Sequence, residues 1–176
     1  MYRDAVPVAK SMYRISMLLP TLRLCYILGY FSGDVTKVII NSIGVVGSDY
    51  CIRLDNDLTS GVFSWAVITS VYLEMRRRGF DVSALRYEDL VARPLDMCRV
   101  ILEFCHLPVS LAELAVKAFD RDSHRNAISA ASVLRRFKEP QLTPEKKTRL
   151  DELLKNFGFP PIGEQSIVEG TFSCLD

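Results

Sequence analysis

Apolar residues recur at helical spacing along much of this chain. Val8, Met12, Ile15 and Leu19 follow one another at four, three and four residues, which puts them on one face of a helix. Asp4 stands where an N-cap belongs, Pro7 falls in the first turn and Pro20 marks a stop, so the spacing predicts a helix over 4–19. A second helix is expected over 22–31, closed by Ser32 and Gly33. Residues 35–46 fit two descriptions, because Val38, Ile39 and Ile40 suit a strand while the flanks suit a helix.

Beyond residue 60 the pattern is helical again. Trp65, Ile68, Tyr72 and Met75 recur at three, four and three, the arginines 76–78 suit the negative end of the helix dipole, and Gly79 supplies a stop. Val82 to Tyr87 reads as a short strand. Pro94 opens a helix running to about Cys105, where His106 suits a C-cap role before Leu107-Pro108, and another helix is expected over 110–119. The clearest signal lies near the end. Thr143 is an N-cap followed by Pro144 and Glu145, and Leu150, Leu153, Leu154 and Phe157 occupy i, i+3, i+4 and i+7 before Gly158 and Pro160-Pro161. One domain is expected over 1–161, with a loose tail over 162–176.

Composition narrows the class. Of 176 residues, 49% are hydrophobic and 10% aromatic, enough for a core and far from the make-up of a disordered chain. The formal net charge of +1 provides no overall field toward a nucleic acid. Five cysteines, an odd number with no CxxC pair, argue against a disulfide framework or a zinc site. Cys98 and Cys105, seven apart on one helix face, read as buried free thiols. No segment has the roughly 18–20 uncharged apolar residues of a membrane-spanning helix. A reducing, cytoplasmic setting fits the thiols.

Three places carry polar residues suited to chemistry. Arg3 and Asp4 run into a helix that bears Ser11 two turns on; a helix N-terminus with an adjacent Arg and a hydroxyl can cradle a phosphate, although a capped helix near any Arg has the same appearance. Tyr87-Glu88-Asp89-Leu90 follows the strand expected over 82–87, where ligands of open α/β sheets gather; it also fits an ordinary strand-to-helix turn with Asp89 as cap. Asp122, Ser123 and His124 lie between helices, with no partner placed by spacing to make His124 a general base. With two histidines and no metal-ligand spacing, no metal is expected. The GxxxxGK[ST], GxSxG and GxGxxG motifs are absent.

Two of these places, taken in order, resemble the sulfotransferase family. Arg3-Asp4-Ala5-Val6-Pro7-Val8-Ala9-Lys10-Ser11 is similar to the family's 3′-phosphate-binding motif, an Arg that ends a strand and a Ser eight residues later on the helix that follows. Leu85-Arg86-Tyr87-Glu88-Asp89-Leu90-Val91-Ala92-Arg93-Pro94 resembles its YEDL-type turn, followed as in the family by a helix that ends near a Leu-Pro. The stretch Asp122–Asn126 and the helix start at Leu142-Thr143 resemble the family's C-terminal region. The likeness covers nearly the whole chain but only the later part of the family's domain.

The resemblance implies a three-layer α/β fold of the P-loop NTPase-like type, cut short at its N-terminus so that this chain is helix-rich with few strands. It implies transfer of a sulfuryl group from 3′-phosphoadenosine 5′-phosphosulfate to a hydroxyl or amine acceptor. By matched position Arg3 and Ser11 would hold the 3′-phosphate, Tyr87 would lie near the adenine, and Arg135 and Arg136 would stand in for the family's late basic loop. The family's Lys-bearing 5′-phosphosulfate loop and its usual catalytic His have no counterpart here and would precede Met1. No catalytic residue is therefore assigned, and the chain is expected to be a fragment, inactive alone. A Golgi location would require an anchor upstream of Met1. The alternatives are a non-catalytic nucleotide-binding remnant and a helical interaction domain.

Overall fold

The computed structural model describes residues 4–18, 58–118, 140–164 and 167–172. Helix dominates them, with 68% of the described residues helical. The helices are α1 (Ala5–Leu18), α2 (Leu58–Arg77), α3 (Tyr87–Ala92), α4 (Pro94–Phe104), α5 (Ala112–Lys117) and α6 (Pro144–Asn156), with a 3₁₀ turn at Val109–Leu111 before α5. The elements expected over 22–31 and 35–46 lie outside the described residues. Among the described residues no helix is long and apolar enough to cross a membrane.

Helix α2 is the centre of the core. Its first half turns Leu58, Val62, Phe63, Trp65 and Ala66 inward, where they meet Ala5 and Ala9 of α1 and Leu150, Leu153 and Leu154 of α6, with Phe157 just beyond. The small residues set the spacing. A β-carbon at Gly61 would stand 2.5 Å from the α-carbon of Ala9, so the two backbones meet with nothing between them. Aromatic edges close the other side, with Phe63 against Phe157 at 5.8 Å and Trp65 against Phe159 at 5.1 Å between ring centroids. Each fully buried leucine contributes about 1.5–3 kcal/mol.

The stripe expected to face inward on α2 is only partly the buried one. Trp65 is buried, but Ile68 is 69% and Met75 37% exposed. The buried face instead continues through Thr69 and Ser70. Close approach to α1 selects for small side chains, and a reading based on large apolar residues misses that face.

Helix α6 matches its sequence signals in detail. The Thr143 hydroxyl accepts from the Lys146 N–H at 3.3 Å, and Pro144 takes the first helical position, where no N–H is needed. Leu150, Leu153, Leu154 and Phe157 are all buried, and Gly158 adopts φ +76° just past the end. Asp151 then folds the next segment back. Its carboxylate accepts from the Ile162 N–H at 2.7 Å and from Lys147 at 2.6 Å, which pins Pro160–Gly163 beside the helix.

The strand expected over 82–87 is shorter than the pattern implied. Only Ala84 and Arg86 have bridge pairing, and helix α3 begins at Tyr87. Ala84 pairs in parallel with Thr171. The loose tail expected over 162–176 accordingly does not hold at 167–172. The Ala84 N–H donates to Gly170 at 3.0 Å, the Phe172 N–H donates to Ala84 at 2.9 Å, and Val168 is buried. Phe172 packs with Ile101 against a second, smaller core of Leu85, Leu90 and Met97. Of the two thiols expected to be buried, Cys98 of α4 is buried, whereas Cys105, just past the end of that helix, is exposed.

Candidate functional site

The first turn of α1 opens onto a cavity of about 330 Å³. Asp4, Ala5, Val6 and Pro7 form one wall, Trp65 and Leu154 the base, Pro160 to Glu164 the rim, and Arg86 reaches in from the short extended segment. Each wall has a local cause. Ala5 and Val6 start a helix, so their N–H groups lack intrahelical partners, and Pro7 has none to satisfy. The rim is where it is because Asp151 holds the Ile162 N–H.

Arg86 is the principal charge of this site. Its side chain is 11% exposed, and its guanidinium faces the Asp4 carboxylate at 3.4 Å and the Glu88 carboxylate at 3.7 Å. The second distance is an ion pair without a hydrogen bond. Three buried polar atoms here, Asp4 Oδ1, Arg86 Nε and Glu88 Oε2, make no hydrogen bond within the protein. Arg86 Nε and Glu88 Oε2 are the two atoms of the 3.7 Å ion pair; a buried polar atom without a hydrogen bond is costly, about 1–3 kcal/mol, so this cluster suits a bound molecule or water that offers both donors and acceptors.

The residues singled out from the sequence are distributed unevenly around this centre. Ser11 sits on α1 seven residues after Asp4, hence two turns along the same face, and is half-buried. Tyr87 is the first residue of α3, half-buried, directly after Arg86. Neither lines the cavity itself. Arg3, Arg135 and Arg136 lie outside the described residues, as do Asp122, Ser123 and His124. Asp89, expected as a cap, is instead inside α3, where its carbonyl accepts from the Arg93 N–H at 2.9 Å. His106 does end α4, at φ +55°, with its N–H donating to the Glu103 carbonyl.

Sequence reading missed Arg86, Trp65 and the Pro160–Glu164 rim as parts of one site. For Arg86 there was a usable signal. In an extended segment Leu85 and Arg86 point to opposite sides, so a buried Leu85 turns Arg86 toward whatever lies across from the small core. Among the described residues there is no group of three His, Cys, Asp or Glu side chains able to hold a metal ion. No family model, no curated protein and no solved structure matches this chain.

Proposed function

We propose that this chain is the later part of a sulfotransferase domain and supplies the 3′-phosphate and adenine side of a site for 3′-phosphoadenosine 5′-phosphosulfate. One observation carries the reading. The two motifs behind the resemblance are far apart in sequence, yet the Arg86–Asp4 ion pair joins them at one cavity. A nucleotide site built from an Arg-to-helix turn and a Tyr turn requires that meeting.

The chemistry of the parts agrees with this assignment. The start of α1, 14 residues long, presents free N–H groups and a partial positive charge to a phosphate. Arg3 immediately precedes that turn in sequence and is the residue that the resemblance assigns to the 3′-phosphate, where a guanidinium can make a forked contact, while Arg86 offsets the negative charge of Asp4. Tyr87 follows as a flat surface for a purine. Arg135 and Arg136 are the cations assigned to cover the nucleotide. In the reaction an acceptor oxygen or nitrogen attacks the sulfur in line, the bond from sulfur to the 5′-phosphate oxygen breaks, and adenosine 3′,5′-bisphosphate leaves. The acceptor proton goes to a base. The cation and base for that step have no matched positions in this sequence, so for this chain the proposal is nucleotide binding, and sulfuryl transfer belongs to a domain that includes them. The fold implied is the three-layer α/β arrangement of that family.

Calorimetric titration with adenosine 3′,5′-bisphosphate tests the reading. Saturable binding by the wild type that is lost in Arg3→Ala and weakened in Arg86→Met is the expected result. Absence of binding, or binding indifferent to both arginines, overturns it and favours a helical interaction domain.

A further inference from the structure

Residues 167–172 form a compact strap with an unusually complete set of attachments. The Thr171 N–H and hydroxyl both donate to the Val168 carbonyl, which closes a tight turn around Gly170 at φ +74°. The turn is seated on α2. The Tyr72 hydroxyl donates to the Glu169 carbonyl at 2.9 Å, and a β-carbon at Gly170 would overlap the Arg76 guanidinium. Arg76 in turn donates to the Val82 carbonyl at 2.7 Å, so one arginine touches both the strap and the segment beside it.

On its other side the strap fixes Ala84. Both backbone groups of that residue are engaged, the N–H by Gly170 and the carbonyl by Phe172. Phe172 then covers Leu85 and Leu90, which flank the Tyr87 turn, and stands edge-on to Phe104 of α4 at 5.2 Å. Arg86 lies between these anchors and extends to the cavity.

We infer that the strap is a positioning device: by clamping Ala84 and capping Leu85 and Leu90 it sets where Arg86 and Tyr87 stand, and its docking is coupled to occupancy of the site at the first turn of α1. The coupling half rests on the nucleotide reading above; the clamping half does not. A turn held in one place by the strap binds a ligand without first being ordered, and reciprocally a ligand that holds the turn tightens the strap. Gly170 is the residue on which seating depends, because it holds φ +74°, a backbone conformation that L-residues avoid, and a side chain there would also displace the Arg76 guanidinium from the turn. Phe172 is the residue on which transmission depends.

Amide hydrogen exchange on the full chain tests this, with wild type compared to Gly170→Ala and Phe172→Ala. The expected result is exchange about tenfold faster at 84–92 in both variants, with the amides of 150–157 unchanged. In the wild type, adenosine 3′,5′-bisphosphate is expected to slow exchange at 168–172, and both variants are expected to bind it about tenfold more weakly. Unchanged exchange at 84–92 overturns the inference whether or not the nucleotide binds. Faster exchange there in a protein that binds no nucleotide keeps the clamp and overturns the functional reading. Equal affinity in wild type and variants overturns the coupling. If Gly170→Ala and Phe172→Ala unfold the chain as a whole, Tyr72→Phe decides, since it removes only the hydroxyl on the Glu169 carbonyl; about threefold faster exchange at 84–92 supports the clamp and no change opposes it.

Discussion

Gly61 and Ala9 share one point of contact between α1 and α2: the hydrogen that glycine carries in place of a side chain lies directly on the Ala9 backbone. An added methyl would be 2.5 Å from the Ala9 α-carbon and 2.7 Å from its β-carbon. Neither atom is the end of a flexible side chain that can swing away.

Gly61→Ala therefore forces the two helices apart. Alanine gains about 1 kcal/mol in helix propensity, and overpacking at backbone contact costs about 1–3 kcal/mol or more, so net destabilisation is expected. Urea denaturation is expected to show a lower midpoint with an unchanged slope. A midpoint at or above that of the wild type would contradict the packing described.

Asp151 links helix α6 to the rim of the cavity, and its two bonds differ in value. The one to the buried-side Ile162 N–H is charge-assisted at 2.7 Å; the one to Lys147 is an ion pair with a half-exposed lysine. Asp151→Ala is expected to cost about 1.5–3 kcal/mol and to loosen Pro160–Gly163. Asp151→Asn keeps an acceptor for Ile162 and loses the ion pair, at about 0–1 kcal/mol. Thermal unfolding of the two variants checks the order.

His106 holds a left-handed backbone conformation at the end of α4, φ +55°, where glycine is the usual residue. His106→Gly is expected to stabilise the chain by about 1 kcal/mol, since the strain at this position exceeds the entropy glycine adds to the unfolded state. A drop in melting temperature would show that the imidazole makes a compensating contact.

The thiols of Cys98 and Cys105 are separable by pH. Burial pushes the Cys98 thiol above its ordinary value, because a buried thiolate is poorly solvated. At a given pH less of it is ionised, and its alkylation is expected to rise only at higher pH, after Cys105 has reacted. Mass mapping after timed iodoacetamide treatment at pH 8 and pH 10 is the measurement; equal labelling of the two at pH 8 contradicts it.

Local signals were legible and distant ones were not. Thr143, Pro144 and the leucines of α6 state their helix within fifteen residues, because capping and periodicity act over that range. The buried face of α2 is different. It is chosen by Ala9 and Leu150, which no window around residue 61 contains, so Ile68 and Met75 looked equally suited to the interior. The strap has no period to read, because its register depends on one residue, Ala84, and on space beside Arg76. Motif spacing singled out Tyr87 and Ser11, which stand beside the cavity without lining it. Arg86, which joins the two motifs, was hidden because its importance comes from a contact with Asp4 rather than from its neighbours in sequence.

The arrangement around α2 also bears on synthesis. Its inner face is completed from both directions, by α1 made earlier and by α6 made later. At typical elongation rates the interval between translating Ala66 and Phe157 is on the order of ten seconds. Throughout it Val62, Phe63 and Trp65 lack the cover that α6 and Phe157 give them, so the nascent chain exposes part of an aromatic helix face. Substitutions in α6 should therefore lower the yield of folded protein in cells by more than their effect on the purified protein, because they lengthen the period in which that face is open to chaperones and to aggregation.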